Sequence, residues 1–342
     1  MELIYLTEDE QPVLSISERY TCRLDIWRQT VSLFHAYNRT ISGKYSGPFH
    51  SSGYTAYHVS PHLRKCSNVN QSCEPDIFSW DANRKKALVV EITTNPILDT
   101  RKSRQIETYK SDINLRLTTT LGAPGDISEN DVILSHPKFY DPNPNKFCEL
   151  AISSKFDMRN ERYLSDDLLK DALHQYMEHP LTHGVPGIQC TIVPEMHGDE
   201  IRIGIVQIVF LLFKVGGQGL TVKEFASIGL EKLANTLSIH TYDELLGTIN
   251  RELDTLVNNY LPDYLEYNSE TKKYRVTDKG KKVTSSFQSR KTVFSRINEW
   301  MRSIPPSSPM KRRKKPRVRK ELRPVVATQH DLNEFPDAGL SE

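Results

Sequence analysis

The sequence lacks a long hydrophobic run. Its most apolar segment, IRIGIVQIVFLLFKVGG (residues 201–217), contains Arg202, Gln207 and Lys214 and is too short to cross a bilayer. The first residues, MELIYLTEDEQP, have neither the basic start nor the apolar stretch of a secretory signal. Five scattered cysteines, an odd number, argue against a disulfide framework. We therefore expect no membrane association and a cytoplasmic protein, or a nuclear one if its host has a nucleus.

Two common catalytic signatures are also missing. The chain has no GxSxG motif, and its glycine-rich stretch KVGGQG is not followed by the Lys-Ser or Lys-Thr pair of a phosphate-binding loop. What is present is typical of a globular protein, with 37% hydrophobic and 26% charged residues. A chain of 342 residues is long enough for two domains.

Positive charge is concentrated near one end of the sequence. The formal net charge is +2, but PMKRRKKPRVRKELRP (residues 309–324) contains nine Lys or Arg and one Glu, so the remainder has a net charge of about −6. We expect residues 301–342 to be a disordered basic tail that neutralises nucleic-acid phosphates. A nuclear-localisation signal or a solvated tail without a partner would look similar. The candidate nucleic-acid-binding residues are Lys311, Arg312, Arg313, Lys314, Lys315, Arg317 and Arg319.

The first part of the chain has the pattern of an α/β domain, which we assign to residues 1–160. Apolar residues at steps of three and four predict a helix over residues 15–38. PDIFSW and KALVVEIT predict two strands joined by the turn DANRK, followed by a helix over residues 99–117. Two further strands are expected at residues 131–136 and 148–156.

The second part, residues 161–300, is predicted to be mainly helical. The apolar segment 201–217 is interpreted as a strand that runs into a helix, and Thr221 with Glu224 forms a capping-box pattern. A long amphipathic helix is followed by a hairpin, YLEYN and KYRVT, and by DKGKK. This order resembles a winged helix-turn-helix, which implies DNA binding. A dimerisation domain of the same fold is the alternative.

The stretch EPDIFSWDANRKKALVVEITT (residues 74–94) places an acidic residue on each of two predicted strands. Asp76 opens the first strand and Glu91 comes near the end of the second, so a hairpin would bring the two carboxylates together. Converging carboxylates suit a hard cation such as Mg²⁺ or Mn²⁺. The alternative is that these acids cap loops or pair with neighbouring basic residues.

This arrangement resembles the PD-(D/E)xK nuclease superfamily, in which the Asp and the Glu bind the metal. The motif QIETY, Gln105–Tyr109, is similar to the QxxxY signature of RecB-like members, and its two ends lie on one helical face. The family often adds an acid from the helix before the hairpin; Glu18 is the candidate metal ligand here, with Asp25 as a substitute. The resemblance covers residues 15–156. It implies a restriction-endonuclease-like mixed sheet flanked by helices.

Thr93 stands where the family has a lysine, two residues after the glutamate. A threonine hydroxyl has no charge and cannot replace an ammonium group beside a pentavalent phosphate. Lys102, one helical turn before Gln105, could reach the same point; two metal ions could work without a lysine; or the fold could bind without catalysis. We favour the first interpretation. The candidate catalytic residues are then Asp76, Glu91, Lys102, Gln105 and Tyr109.

Together these features predict a metal-dependent nuclease that cleaves DNA phosphodiester bonds, in a restriction, defence or transposition system. A homodimer is expected because a double-strand cut needs two sites; a partner protein of a multi-subunit system is the other option. The competing hypothesis is a catalytically inactive nuclease-fold protein that acts as a DNA-binding regulator or assembly subunit.

Overall fold

The helices and strands of the chain were located in a computed structural model. It describes residues 16–39, 43–68, 70–94, 100–115, 121–127, 129–137, 147–152, 156–178, 189–196, 198–215 and 218–303. The helices are α1 (Ile16–Ser32), α2 (Pro48–Ser51), α3 (Thr100–Ser111), α4 (Asp167–Glu178), α5 (Gly198–Val215), α6 (Val222–Leu230), α7 (Ile239–Thr255) and α8 (Phe287–Arg302). The strands are β1 (Ala36–Arg39), β2 (Gly43–Ser46), β3 (Ala56–Val59), β4 (Leu63–Arg64), β5 (Ser72–Cys73), β6 (Ile77–Asp81), β7 (Lys86–Ile92), β8 (Glu129–His136), β9 (Cys148–Ile152), β10 (Phe156–Arg159), β11 (Leu265–Asn268) and β12 (Lys273–Val276).

Six strands form one mixed sheet, in the order β10-β9-β8-β7-β6-β3. Strands β7, β8 and β9 are parallel, whereas β3, β6 and β10 pair antiparallel with their neighbours. The central strand β7, KALVVEI, is buried along nearly its whole length. Such continuous apolar strands are expected where a sheet is covered on both faces. The predicted α/β class with a mixed sheet flanked by helices is confirmed.

Alternate residues of β7 pack into two different hydrophobic clusters. Leu88 and Val90 join a large cluster that includes Trp27 of α1, while Ala87 and Val89 join a smaller one. Because successive strand residues point to opposite faces, α1 covers one face of the sheet. Helix α3 covers the other face, through the side chains of the smaller cluster. The site described below lies on this α3 face.

Helix α5 is the central element of the second half. It packs against α1, α6, α7, α8 and β12, and its buried residues extend the large cluster of the sheet domain. The described residues belong to one compact unit, Met1–Ser303. The boundary predicted after residue 160 stays a prediction; the residues on its two sides share a hydrophobic core. The tail from residue 304 onward lies outside the described residues.

Several local predictions are confirmed. The hairpins β6–β7 and β11–β12 form where expected, and Thr221 and Glu224 make both hydrogen bonds of a capping box at the start of α6.

All five cysteines are free thiols. No helix in the part of the chain that the structure describes is long and apolar enough to cross a membrane.

Two predicted helix ends are wrong. Helix α1 stops at Ser32 rather than at residue 38, because Leu33 and Phe34 donate to carbonyls three residues back and the chain then enters β1. Helix α3 stops at Ser111 rather than at residue 117. There the backbone pairs with another segment, through an antiparallel bridge between Ile113 and Lys65.

The prediction of a strand at the start of segment 201–217 is also wrong. Residues 198–215 form a single helix, α5. Its many β-branched residues favour strands when considered locally. However, the buried side chains Ile201, Ile205, Ile208 and Leu212 recur at steps of three and four, and tertiary packing decides the outcome.

Candidate active site

Two acidic side chains meet at one end of the β6–β7 hairpin. Asp76 directly precedes β6, and Glu91 is the next-to-last residue of β7. Because Ile77 pairs with Val90 in this antiparallel hairpin, Asp76 lies opposite Glu91. The backbone N–H of Asp76 donates to Glu91 Oε2 at 3.4 Å, and that of Ile92 donates to Asp76 Oδ2 at 2.6 Å. These bonds across the hairpin fix both carboxyl groups.

Helix α3 brings three polar side chains to the same point. Lys102, Gln105 and Tyr109 are spaced by three and four residues and therefore share one face of the helix. The Lys102 ammonium group donates to Glu91 Oε1, and Gln105 Nε2 donates to the same oxygen at 3.4 Å. Gln105 Nε2 also donates to Tyr109 Oη, which in turn donates to the carbonyl of Glu74 at 3.1 Å.

The packing of α3 explains why these groups point at the carboxylates. Ile106 and Tyr109 are fully buried against the small hydrophobic cluster, which contains Val89 of β7 and Val132 of β8. That contact sets the rotation of the helix about its axis. The structure thus brings together all five candidate catalytic residues, and their roles stay a prediction. We call this group, Asp76, Glu91, Lys102, Gln105 and Tyr109, the carboxylate site.

Burial and charge perturb the ionisation of this site. Asp76 is 5% exposed and Glu91 is 1% exposed. Burial raises the pKa of Asp76 well above its usual range, and the negative charges of Glu195 and Glu91 raise it further, against the opposing effects of Lys102 and the Ile92 N–H. Burial also raises the pKa of Glu91, while Lys102 lowers it. Groups perturbed in this way are typical of functional sites.

The pKa of Lys102 is raised as well, but for an ammonium group this shift favours the charged form. Burial by itself would lower the pKa of Lys102, but the nearby carboxylates of Asp76, Glu91 and Glu195 outweigh it and raise the pKa. Lys102 therefore stays protonated at neutral pH. The site combines a permanent positive charge with carboxyl groups that ionise reluctantly.

Glu195 is a third acidic residue whose charge acts on this site, and sequence analysis missed it. It lies in residues 189–196, which we call the connecting segment because it leads into α5. Its side chain is 41% exposed, with Oε2 at 3.5 Å from Arg23 Nη1. Its charge raises the pKa of both Asp76 and Glu91. No local motif marks Glu195, because its place depends on how the second half of the chain packs on α1.

The other predicted site residues are placed as follows. Glu18 lies in the first turn of α1 and is exposed; its role as a metal ligand stays a prediction. Thr93 follows β7, and its backbone N–H donates to the carbonyl of Ser135 at 3.0 Å. The seven basic tail residues from Lys311 to Arg319 lie outside the described residues.

The donor set of the carboxylate site fits a hard divalent cation. Asp76 and Glu91 supply carboxylate oxygens, and the charge of Glu195 also acts on this site, opposed by the ammonium group of Lys102. Carboxylate oxygens are the ligands that a hard cation prefers. Among the described residues, no three or more His, Cys, Asp or Glu side chains are arranged as a metal cage. Mg²⁺ does not need one, because it commonly binds through one or two carboxylates plus waters and substrate phosphates.

Comparisons of the chain with protein-family models, with curated proteins and with solved structures found no match. A functional assignment therefore rests on the arrangement of the carboxylate site and the elements around it.

Proposed function

We propose that the chain is a metal-dependent endodeoxyribonuclease of the PD-(D/E)xK type, with the lysine supplied by a helix instead of a strand. The observation that carries this proposal is the contact of the Lys102 ammonium group with Glu91, at the point where Asp76 and Glu91 converge. Thr93 occupies the usual lysine position, but the positive charge is still delivered to the same carboxylate. The order of elements, with a hairpin followed by a helix and parallel strands, also supports it.

Each side chain has a defined part in this proposal. Asp76 and Glu91 would hold Mg²⁺ or Mn²⁺, which when bound would lower the pKa of a water and stabilise charge on a phosphate oxygen. Lys102 would place its ammonium group beside the reacting phosphate and offset the negative charge that develops there. Tyr109 accepts from Gln105 and is itself held by the Glu74 carbonyl, so it would orient the Gln105 amide.

The second half of the chain would hold the DNA duplex. Its elements α5, α6, α7, β11 and β12 follow in the order of a winged helix-turn-helix, and Leu220 forms a further antiparallel bridge to Tyr274 of β12. The function would be that of a restriction, defence or transposition nuclease in the cytoplasm or nucleus. It would act as a homodimer or with a partner protein.

Exposed charge indicates which surface of this half would contact phosphates. On α7, Asp243 and Glu244 are exposed, and Arg251 is the one exposed Lys or Arg, which makes this helix a poor partner for phosphate. The β11–β12 hairpin and the residues that follow it are richer in cations. The exposed Lys and Arg residues from β11 to the start of α8 are Lys272, Arg275, Lys279, Lys281, Lys282, Arg290 and Lys291.

Cleavage of circular and linear DNA with Mn²⁺ tests the proposal. We expect wild-type protein to cut both substrates, and Asp76→Ala and Glu91→Ala to abolish cutting. Lys102→Ala should lower the rate roughly 100-fold or more, as is typical when a group that stabilises transition-state charge is removed. Lys110→Ala is the matched control, because Lys110 lies on the same helix and donates to the Tyr163 carbonyl at 3.0 Å, away from the carboxylates.

The outcome separates the nuclease from the non-catalytic alternative. If wild-type protein binds DNA but cuts neither substrate with Mg²⁺ or Mn²⁺, the chain is a nuclease-fold binding protein, and Thr93 marks a lost activity. If Lys102→Ala cuts as well as Lys110→Ala, the assignment of the lysine to α3 is wrong.

A further inference from the structure

Helices α5 and α8 leave a small cleft between them, with a volume of about 170 Å³. Phe294 of α8 lies against Phe210 of α5, with 4.9 Å between the ring centroids and 30° between the ring planes. The residues that line the cleft are Phe210, Phe213, Val283, Thr284, Arg290 and Phe294. Three of the six are aromatic, and Arg290 is an exposed cation. The cleft thus combines aromatic rings with a positive charge that solvent can reach.

One face of α8 continues this surface. Phe287, Arg290, Lys291 and Phe294 are spaced by three and four residues and therefore lie on the same side of the helix. We call these four residues the α8 face. Phe287 is 79% exposed and Phe294 is 47% exposed. Single exposed apolar residues are ordinary, but two aromatic rings on one helical face beside a cleft are typical of a binding surface.

The two cations of the α8 face are available to a ligand. Lys279 and Lys281, which precede α8, each pair with an aspartate, at 3.0 and 2.7 Å. In contrast, neither Arg290 nor Lys291 forms an ion pair with any residue that the structure describes. The Arg290 guanidinium donates to the carbonyl of Thr284, which leaves its charge without a counterion. An anion that arrives here would displace no carboxylate.

The sequence around the α8 face is positively charged. Residues 278–302 contain seven Lys or Arg and two Asp or Glu, so their net charge is 7 − 2 = +5. All the residues outside 309–324 together have a net charge of about −6. This part of the chain is therefore a cationic region within an acidic whole, and its charge is complementary to a polyanion.

Two kinds of polyanion could use such a surface, a nucleic acid or an acidic protein. The core of a protein–protein interface is depleted of charged residues. Here the two cations lie between the two phenylalanines of the same helical face, so ring and charge alternate. Single-stranded nucleic acid has this combination of needs, because its bases stack on aromatic rings while its phosphates require nearby cations. The arrangement favours nucleic acid.

We propose that the α8 face and its cleft bind unpaired bases of single-stranded DNA. Phe287 and Phe294 stack on bases, and Arg290 and Lys291 neutralise the adjoining phosphates. Every base has a flat aromatic face, so the site accepts any sequence. This inference goes beyond the proposed function, since it holds whether or not the carboxylate site cuts DNA.

Binding of the full chain to two labelled oligomers in EDTA tests this inference by fluorescence anisotropy. One is oligo(dT), and the other is an abasic oligomer of equal length, which has the phosphates but no bases. We expect wild type to prefer oligo(dT). Phe287→Ala should weaken oligo(dT) binding about 5- to 150-fold, the loss expected for one base stack, and leave the abasic oligomer unaffected.

Ile239→Ala is the matched control for Phe287→Ala. Ile239 is 81% exposed and is the first residue of α7 after a serine cap, as Phe287 is the first residue of α8 after a serine cap. This variant should bind both oligomers like wild type. Lys291→Gln separates charge from stacking, because it should weaken binding of both oligomers and lower the salt slope by about 0.7.

Phe294→Ala is a second test of stacking and should also weaken oligo(dT) binding. Because Phe294 packs against Phe210, its melting temperature is measured beside that of Phe287→Ala, whose exposed ring should contribute little to stability. Equal affinity of wild type for the two oligomers would overturn the inference. So would oligo(dT) binding by Phe287→Ala that matches Ile239→Ala.

An acidic peptide that contains Phe and Leu tests the protein alternative. If Phe287→Ala loses affinity for this peptide and keeps its affinity for oligo(dT), the α8 face is a protein-docking surface and the inference is overturned. None of these outcomes affects the nuclease proposal, which the cleavage assay tests separately.

Discussion

Asp76 and Glu91 illustrate which site residues a sequence can reveal. They lie on adjacent strands joined by a short turn, so their convergence follows from the hairpin pattern alone. Gln105 and Tyr109 were singled out by their resemblance to the QxxxY signature, and helical spacing then predicted that they share one face. Glu195 could not be found, because more than a hundred residues separate it from Glu91. The position of Glu195 depends on how the connecting segment packs against α1 and α6, which the local sequence does not show.

Because the pKa of Asp76 is raised in the folded chain, this carboxyl group is expected to lower the stability of the fold as the pH rises. Below its pKa in the unfolded chain, the carboxyl group is protonated in both states. As the pH rises, the unfolded chain loses the proton first, so the stability contributed by this group is lost as the pH rises toward the folded pKa. Asp76→Asn cannot ionise, yet its amide oxygen can still accept from the Ile92 N–H. We expect the variant to equal wild type near pH 4 and to exceed it by on the order of 1 kcal/mol at pH 8.

Urea unfolding in EDTA across that pH range measures this difference. The matched control is Asp81→Asn, at the other end of β6, where the carboxylate pairs with Arg84 at 2.6 Å. That change removes a partner from a partly buried arginine and should destabilise the protein at neutral pH. Equal stability of Asp76→Asn and wild type at pH 8 would contradict the prediction.

Among the secondary-structure elements, those with a local pattern were predicted best. The β6–β7 hairpin has two apolar runs around a polar turn, and the start of α6 has its capping box; both are present. Helix α5 was misjudged because its Ile and Val residues are compatible with a buried strand, and the number of neighbours around it is not visible in the sequence. The early end of α3 has a similar cause, since its last residues pair with a distant segment.

Close packing of α5 against the connecting segment leads to a test with two alanine substitutions in helix interiors. Gly204→Ala places a Cβ 2.6 Å from the Thr191 carbonyl and should destabilise the protein by about 1–3 kcal/mol, as overpacking does. Gly247→Ala, in α7, meets no atom within 4 Å and should stabilise it by roughly 0.5–1 kcal/mol through helix propensity. Chemical denaturation measures both. Equal effects would show that α5 does not constrain the connecting segment.

At the scale of the whole molecule, the positive charge that could bind DNA is concentrated in residues 309–324, whereas the rest of the sequence is acidic. The sequence outside residues 309–324 has a net charge of about −6, and the acids of the carboxylate site are part of this surplus. Such a surface repels a polyanion at long range. A nuclease built in this way would need a concentrated source of positive charge to bind DNA, and residues 309–324 are the richest source in the chain.

The salt dependence of DNA binding tests whether the basic residues between 309 and 324 contact the phosphates. Each basic residue that contacts phosphate contributes about 0.9 to the slope of log K against log salt concentration, because it releases condensed counterions. Replacing Lys311, Arg312, Arg313, Lys314, Lys315, Arg317 and Arg319 by Gln should therefore lower the slope by up to about 6. The control variant changes Lys311, Lys314 and Lys315 to Arg; it keeps the charge and should retain the wild-type slope. Fluorescence anisotropy with a labelled duplex measures both, and an unchanged slope in the Gln variant would assign phosphate binding to the cations of the β11–β12 hairpin and α8 instead.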